Sequence, residues 1–325
     1  MPRPLYTVII PAPDEETARP ALGSLPSEDI AAGKLEVIVV TGRNPSRQRN
    51  AAARQAHGEI LIYLDSDSEV TSTYWARLKQ LFASPDRAIV GGPALLKQPS
   101  SLQAQTFQSL LASRRLTGAI SSRYGQNGVL RRCGDSELIL CNFAIRREAW
   151  NKIGDFSEAL YPNEENEWMD RAQNLGWALW HDPELVVRRP QRASLPAFLS
   201  MLIRYGRGRT RQCRLSGRWK IGRQLPPLFL VLLLPLLFFH PLFFGLLAGL
   251  AWLGLGLSVA WSQPAPLRWR CLWQAGLVPL AYAWGQLLGW NPVRSGPPLE
   301  MEEPVLFHPD KRISQPIAPS QPGKP

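Results

Sequence analysis

The sequence predicts an α/β protein built on a parallel, doubly wound sheet and followed by membrane helices. Three observations carry that expectation. Short apolar, β-branched runs recur at Tyr6–Ile10, Leu35–Val40 and Ile60–Leu64, the pattern of strands buried on both faces. Helix-like segments separate them, and strand–helix–strand repeats imply right-handed crossovers within one sheet. From Leu225 to Trp261 the chain is almost wholly apolar, much longer than the roughly 20 residues that one bilayer crossing needs.

The first strand, YTVII, runs into the loop Pro11–Glu16, and Thr17–Leu25 reads as a short helix. The second, LEVIVV, ends at Thr41-Gly42. A loop rich in Gly, Asn, Pro and Ser then leads to a helix over Arg49–His57, where Ala51, Ala52, Ala53 and Ala56 pack closely. The third stretch, GEILIYLDSDSE from Gly58 to Glu69, organises the chain. Its strand ends in Asp65-Ser66-Asp67, and strand ends of open α/β sheets are where ligands sit. Two carboxylates one residue apart suit a hard divalent cation, Mg²⁺ or Mn²⁺, which takes oxygen ligands and shares itself with substrate phosphates. The plainer reading is a solvated turn capping the next helix.

Further on, Thr73–Phe82 reads as a helix, Ala88–Ala94 as a strand, Leu102–Leu116 as a helix and Gly118–Gly128 as a mobile loop. Glu137–Ile145 reads as a strand, Arg146–Ile153 as a helix, and Glu164–Leu175 as a helix closing at Gly176. A first domain therefore spans 1–190.

The chain of 325 residues carries a net charge of +11, which alone would admit a nucleic-acid partner. Its distribution argues against one. No Asp or Glu falls between Gln191 and Leu299, and Arg204, Arg207, Arg209, Arg211, Arg214, Arg218, Lys220 and Arg223 immediately precede the apolar run. A basic cluster abutting an apolar segment is the positive-inside signature and favours anionic lipid. Residues 191–224 are therefore expected to form a basic interfacial helix. Residues 225–290 are expected to form two or three transmembrane segments, broken at His240-Pro241, with the third either crossing or re-entering. The tail 291–325, rich in Pro, Ser and charge, is expected to be disordered. This places the first domain on the cytoplasmic side of a multi-pass protein. Cys133, Cys141, Cys213 and Cys271 lack zinc spacing and read as free thiols. Met1–Leu5 leads directly into a strand, with no cleavable signal pattern. His57 and His181 read as surface or structural.

Five stretches, in order, give the first 190 residues a resemblance to family 2 glycosyltransferases of the GT-A fold. VIIPAPDEE resembles that family's opening strand and loop, and PSRQRNAAARQAHGEIL its Arg-Asn helix and following strand. LDSDS resembles its metal-binding Asp-x-Asp, CNFAIRREAWNKIGDFSE its acceptor-side segment, and NEENEWMDRAQNLG its Glu-Asp helix. RYGRGR and the hydrophobic segments after it look like a membrane-attached branch that includes exopolysaccharide-assembling enzymes of the bacterial inner membrane.

The resemblance implies a mostly parallel GT-A sheet with helices on both faces and a metal-dependent, inverting sugar transfer. The donor would be UDP- or GDP-linked and the acceptor lipid-linked or polysaccharide. Asp67 is the implied direct metal ligand, with Asp65 facing the ribose or the metal's water shell. Glu165 is the implied general base, supported by Glu164. The plain alternative for both is enrichment of acids in a helix's first turn. Pro11, Asp14, Glu15, Thr41, Gly42, Arg49, Asn50 and Asp65 are the implied nucleotide-sugar contacts. Asn142, Arg204, Arg207 and Arg209 are implied on the acceptor or phosphate side, against simple positive-inside anchoring for the arginines. One departure stands out. Thr41-Gly42 runs almost at once into Asn44-Pro45-Ser46, so the acidic segment and the helix–strand unit that relatives place there are missing. From that shortening comes a rival expectation, a non-catalytic membrane module binding a sugar nucleotide or a partner enzyme.

Overall fold

A computed structural model describes residues 4–219, 228, 231, 236–290, 305–308 and 311–315. Lys220, Arg223, most of the expected first membrane segment and most of the tail lie outside that set.

The strands are β1 (Tyr6–Ala12), β2 (Leu35–Thr41), β3 (Ile60–Leu64), β4 (Glu69–Val70), β5 (Ile89–Gly91), β6 (Ala94–Leu96), β7 (Arg131–Cys133), β8 (Asn142–Arg146), β9 (Leu179–His181), β10 (Val187–Arg189), β11 (Val305–His308) and β12 (Lys311–Gln315). The larger sheet has the order β12-β11-β2-β1-β3-β8-β5-β9-β7, and a small one the order β4-β10-β6. β1 pairs in parallel with β2 and β3, as the three apolar runs imply. Beyond β3 the sheet turns antiparallel, through β8 against both β3 and β5. The sheet is thus mixed, not mostly parallel: β8 enters straight from a turn at Ile139–Asn142 with no crossover helix before it, which an antiparallel neighbour permits. Part of the tail expected to be disordered supplies β11 and β12, antiparallel on the open edge of β2.

The helices are α1 (Arg19–Gly23), α2 (Ser27–Ala31), α3 (Pro45–Gln55), α4 (Tyr74–Phe82), α5 (Leu102–Ala112), α6 (Arg114–Thr117), α7 (Arg147–Ile153), α8 (Glu164–Asn174), α9 (Leu195–Ser216), α10 (Leu236–Phe239), α11 (Pro241–Ala260), α12 (Ala265–Gln274) and α13 (Leu277–Leu288). Strand alternation divides the core. Val8, Ile10, Ile60, Ile62 and Leu64 face one layer, and Ile9, Leu61 and Tyr63 the other.

The described C-terminal helices pack against the α/β core and against one another. Phe198, Met201 and Leu202 of α9 are buried in the same core as Val8 and Ile10, and Phe198 stacks on Phe107 of α5 at 4.1 Å. α13 lies so close on α9 that a Cβ at Gly206 would sit 2.0 Å from the Tyr282 carbonyl oxygen. Part of the apolar face of α9 is thus packed against α5 and α13. The third hydrophobic segment is split into α12 and α13, of 10 and 12 residues, each short of the roughly 20 a crossing needs. Leu267, Cys271, Ala275 and Val278 join the common core. Among the described residues, α11 alone is long and apolar enough to cross a membrane. Leu242, Leu246 and Leu250 on it are 84%, 70% and 65% exposed.

Candidate active site

A cavity of about 480 Å³ opens where β1, β2 and β3 end. Pro11 to Pro13, Gly42, Asp65, Ser66, Asp67, Cys141, Glu164, Glu165 and Tyr205 are among its walls. Five arginines also line it: Arg43, Arg49, Arg189, Arg192 and Arg204. The parallel register of β1 with β2 and β3 brings these strand ends to one edge. β8 lies beside β3 and carries Cys141 in on its entering turn. Burial pushes the Cys141 thiol up to about 11, so it stays protonated at neutral pH.

The strand-end carboxylates are held by two arginines. Arg49 comes from α3, whose start is fixed by Asn44: its side chain accepts from the Arg47 N–H at 3.2 Å, and Pro45 occupies the first turn. Arg49 Nη2 donates to Asp65 Oδ1 at 2.7 Å and Nη1 to Glu164 Oε1 at 2.9 Å. Arg189 ends β10, which pairs antiparallel with β4, directly after the Asp65–Asp67 turn. Its Nη1 donates to Asp65 Oδ2 at 3.0 Å and its Nη2 to Asp67 Oδ2 at 3.1 Å. Burial opposes ionisation of Asp65, but Arg189 and then Arg49 outweigh it and hold the carboxyl below its usual range. Nη2 of Arg189 also lies 3.0 Å from Asp67 Oδ1, but without hydrogen-bond alignment. That oxygen is buried with no hydrogen-bond partner.

The opposite wall is the start of α8. Asn163 precedes it at φ 125°, a conformation costly for a residue with a side chain. Its amide group donates to Gln212 on α9 and its oxygen accepts from Asn166, which fix it there. Glu164 is buried and accepts from the Asn163 N–H at 2.9 Å as well as from Arg49. Burial, helped by the charge of Glu165, raises its pKa despite Arg49. Glu165 is more open, with Arg123 Nη1 3.4 Å away. Arg123 is itself fixed by Asn166 Oδ1 at 2.6 Å and the Ser136 carbonyl at 2.8 Å.

The structure gathers Pro11, Gly42, Arg49, Asp65, Asp67, Glu164, Glu165 and Arg204 around one cavity. It does not gather the other sequence candidates. Asp14 and Glu15 are exposed outside it, and Asp14 accepts from the Thr17 N–H at 2.8 Å as a local cap. Thr41 ends β2 without lining the cavity. Asn50 is buried against Phe156, donating to its carbonyl and accepting from its N–H, both at 2.9 Å. Asn142 donates to the Pro93 and Leu185 carbonyls at 3.0 and 2.6 Å, tying three segments together. Arg207 points outward, and Arg209 is buried beside Gln212 and 3.8 Å from Asp135. The glycines of RYGRGR serve packing: a Cβ at Gly208 would sit 2.3 Å from the Pro162 carbonyl oxygen.

The sequence candidates did not include Arg43, Arg189 and Arg192 of the cavity wall, nor Arg123 beside Glu165. Arg189 had a signal, a cation at the end of the apolar run Leu185–Val187 and just before Pro190, hence at a strand end. Arg123 had none, lying in the expected mobile loop, which is a 3₁₀ turn from Gly118 to Arg123.

The site's donor set fits a divalent cation. Asp67 Oδ1 is a buried carboxylate oxygen without a hydrogen bond. Among the described residues no cluster of three or more His, Cys, Asp or Glu surrounds it. A cation there would complete its shell with substrate phosphate and water, as Mg²⁺-type ions commonly do.

Residues 26–154 match the family described as glycosyl transferase family 2. A comparison with curated protein sequences finds no match. Among solved structures, the mannosyltransferase PcManGT from Pyrobaculum calidifontis, in complex with GDP-Man and Mn²⁺, is similar at 16% identity and a TM-score of 0.55, over 88% of this chain and 87% of that one. GalNAc-T7 with UDP, GalNAc and Mn²⁺ is a more distant likeness, at 16% identity and a TM-score of 0.40, over 64% of this chain and 48% of that one. The chain thus has a GT-A-like α/β fold, and its residues 26–154 are similar to the family 2 glycosyltransferases.

Proposed function

We propose that this protein is a metal-dependent, inverting glycosyltransferase that uses a UDP- or GDP-linked sugar. The observation that carries the reading is the pairing, across one cavity, of the strand-end acids Asp65 and Asp67 with the helix-start acids Glu164 and Glu165 among five arginines. The arginines bind the donor's diphosphate as charge-assisted hydrogen-bond donors. Asp67, with Asp65, would hold a divalent cation, which when bound neutralises charge on the leaving diphosphate. Glu165 takes the proton from the acceptor hydroxyl. That oxygen attacks the anomeric carbon from the face opposite the diphosphate. The carbon–oxygen bond to the diphosphate breaks, and the nucleoside diphosphate leaves with the bonding electrons. A single displacement of this kind inverts the anomeric centre.

The acceptor is a lipid-linked or growing polysaccharide, and the protein sits in a bacterial inner membrane with its site on the cytoplasmic face. The exposed apolar surface of α11 and the cluster of basic residues ahead of the apolar run support that placement. Turnover of radiolabelled donor by Asp67→Ala and Glu165→Gln tests the reading. Each is expected to lose about 10²-fold or more in kcat with an unchanged melting temperature. Full turnover in either variant would contradict the assigned role. Wild-type protein that neither transfers nor hydrolyses any nucleotide sugar would favour a non-catalytic sugar-nucleotide-binding module.

A further inference from the structure

We propose that Arg189 is a built-in counter-ion that holds the cation's place between Asp65 and Asp67 until a nucleoside diphosphate arrives, so that metal and diphosphate load together. The inference rests on the transferase reading of the site and adds an order of loading to it.

One guanidinium spans both carboxylates, with Asp65 Oδ2 at 3.0 Å from Nη1 and both Asp67 oxygens within 3.1 Å of Nη2. A guanidinium and a divalent cation cannot both press on Asp67, since like charges at contact distance repel strongly in a partly buried site. The two acids differ in what they lose if Arg189 leaves. Asp65 keeps Arg49 at 2.7 Å, whereas Asp67 has no other cation within ion-pairing distance among the described residues. Arg189 is therefore the group that a metal must displace, and Asp67 is the ligand it must be displaced from.

Charge balance says when that happens. The cavity already holds five arginines against four carboxylates. A divalent cation arriving alone adds charge of the sign the site already has in excess. A diphosphate arriving with it reverses that balance and offers Arg189 new paired oxygen acceptors, which a guanidinium can meet with two parallel N–H groups. Arg189 stands at the end of β10, whose backbone is fixed by β4 and β6. The exchange therefore needs only the side chain to move.

The test is Mn²⁺ binding by the full-length protein in detergent, followed by electron paramagnetic resonance, with and without GDP or UDP. Wild-type protein should bind Mn²⁺ weakly alone and about tenfold or more tightly once the matching diphosphate is present. Arg189→Gln should bind Mn²⁺ alone about tenfold more tightly than wild type and show less gain from the diphosphate. Arg189→Lys, which keeps the charge but cannot span both acids, should fall between them and guards against a folding defect in the Gln variant. Wild-type and Arg189→Gln proteins with equal Mn²⁺ affinity, or wild-type affinity that is indifferent to the diphosphate, overturn the inference while leaving the transferase reading standing. Protein that binds neither nucleotide even with Mn²⁺ overturns both.

Discussion

Asp65-Ser66-Asp67 and Glu164-Glu165 line the same cavity from opposite elements, one at a strand end and one at a helix start. Each supplies one acid that is tightly compensated and one left more open. Asp65 is held by Arg49 and Arg189, and Glu164 by Arg49 and a backbone N–H. Asp67 has Arg189 alone, and Glu165 has Arg123 at 3.4 Å. Arg49 joins the two buried members and so ties α3, the strand-end turn and α8 together. The difference within each pair separates scaffolding from chemistry: the compensated acid sets the geometry, and the open one is free to meet substrate or metal.

The largest way to break that comparison is to remove its link. Arg49→Ala would leave Glu164 buried without a cation and Asp65 with one instead of two. The expected loss is about 3 kcal/mol, the low end for breaking a buried pair, because Glu164 can take up a proton. A clear fall in melting temperature should accompany loss of turnover. A variant as stable as wild type would show that Arg49 does not join the walls.

A smaller effect sharpens the contrast between the two compensated acids, which respond to pH in opposite senses. The Asp65 pKa is lowered in the folded protein, so the stability it contributes is present above the ordinary carboxylate range and is lost as pH falls through its folded value. The Glu164 pKa is raised, so the folded state binds the extra proton, and stability declines as pH rises from the ordinary carboxylate range through the raised value. Melting temperature followed against pH should lose its acid-side slope in Asp65→Asn and its decline on the higher-pH side in Glu164→Gln. Identical slopes in both variants would contradict the assignment.

The sequence made both acids of each pair legible and left the groups that hold them mostly hidden. Asp65 and Asp67 follow a strand of five apolar residues, and Glu164 and Glu165 open a helix, so local pattern and family resemblance both reach them. Arg189 and Arg123 reach the site only through tertiary pairing. One arrives through the antiparallel match of β10 with β4, and the other through a turn that no periodicity marks. Asn50 and Asn142 show the converse. Each has the residue type and position of a ligand contact, yet each donates its amide group to backbone carbonyls within the fold. The third hydrophobic segment is read less fully from pattern alone. Hydropathy cannot tell lipid from protein as the partner of an apolar face, and α12 and α13 are partly covered by α5, α9 and α11.

The most direct test of the account is a thermal-shift panel on detergent-solubilised wild-type and Asp67→Ala proteins, with UDP- and GDP-sugars in the presence and absence of Mn²⁺. A ligand that binds the folded state stabilises it by mass action. The account predicts that one nucleotide class raises the wild-type melting temperature strongly only with Mn²⁺, and that Asp67→Ala loses that metal-dependent gain. Equal stabilisation of both proteins, or stabilisation of wild type to the same extent without metal, would contradict it.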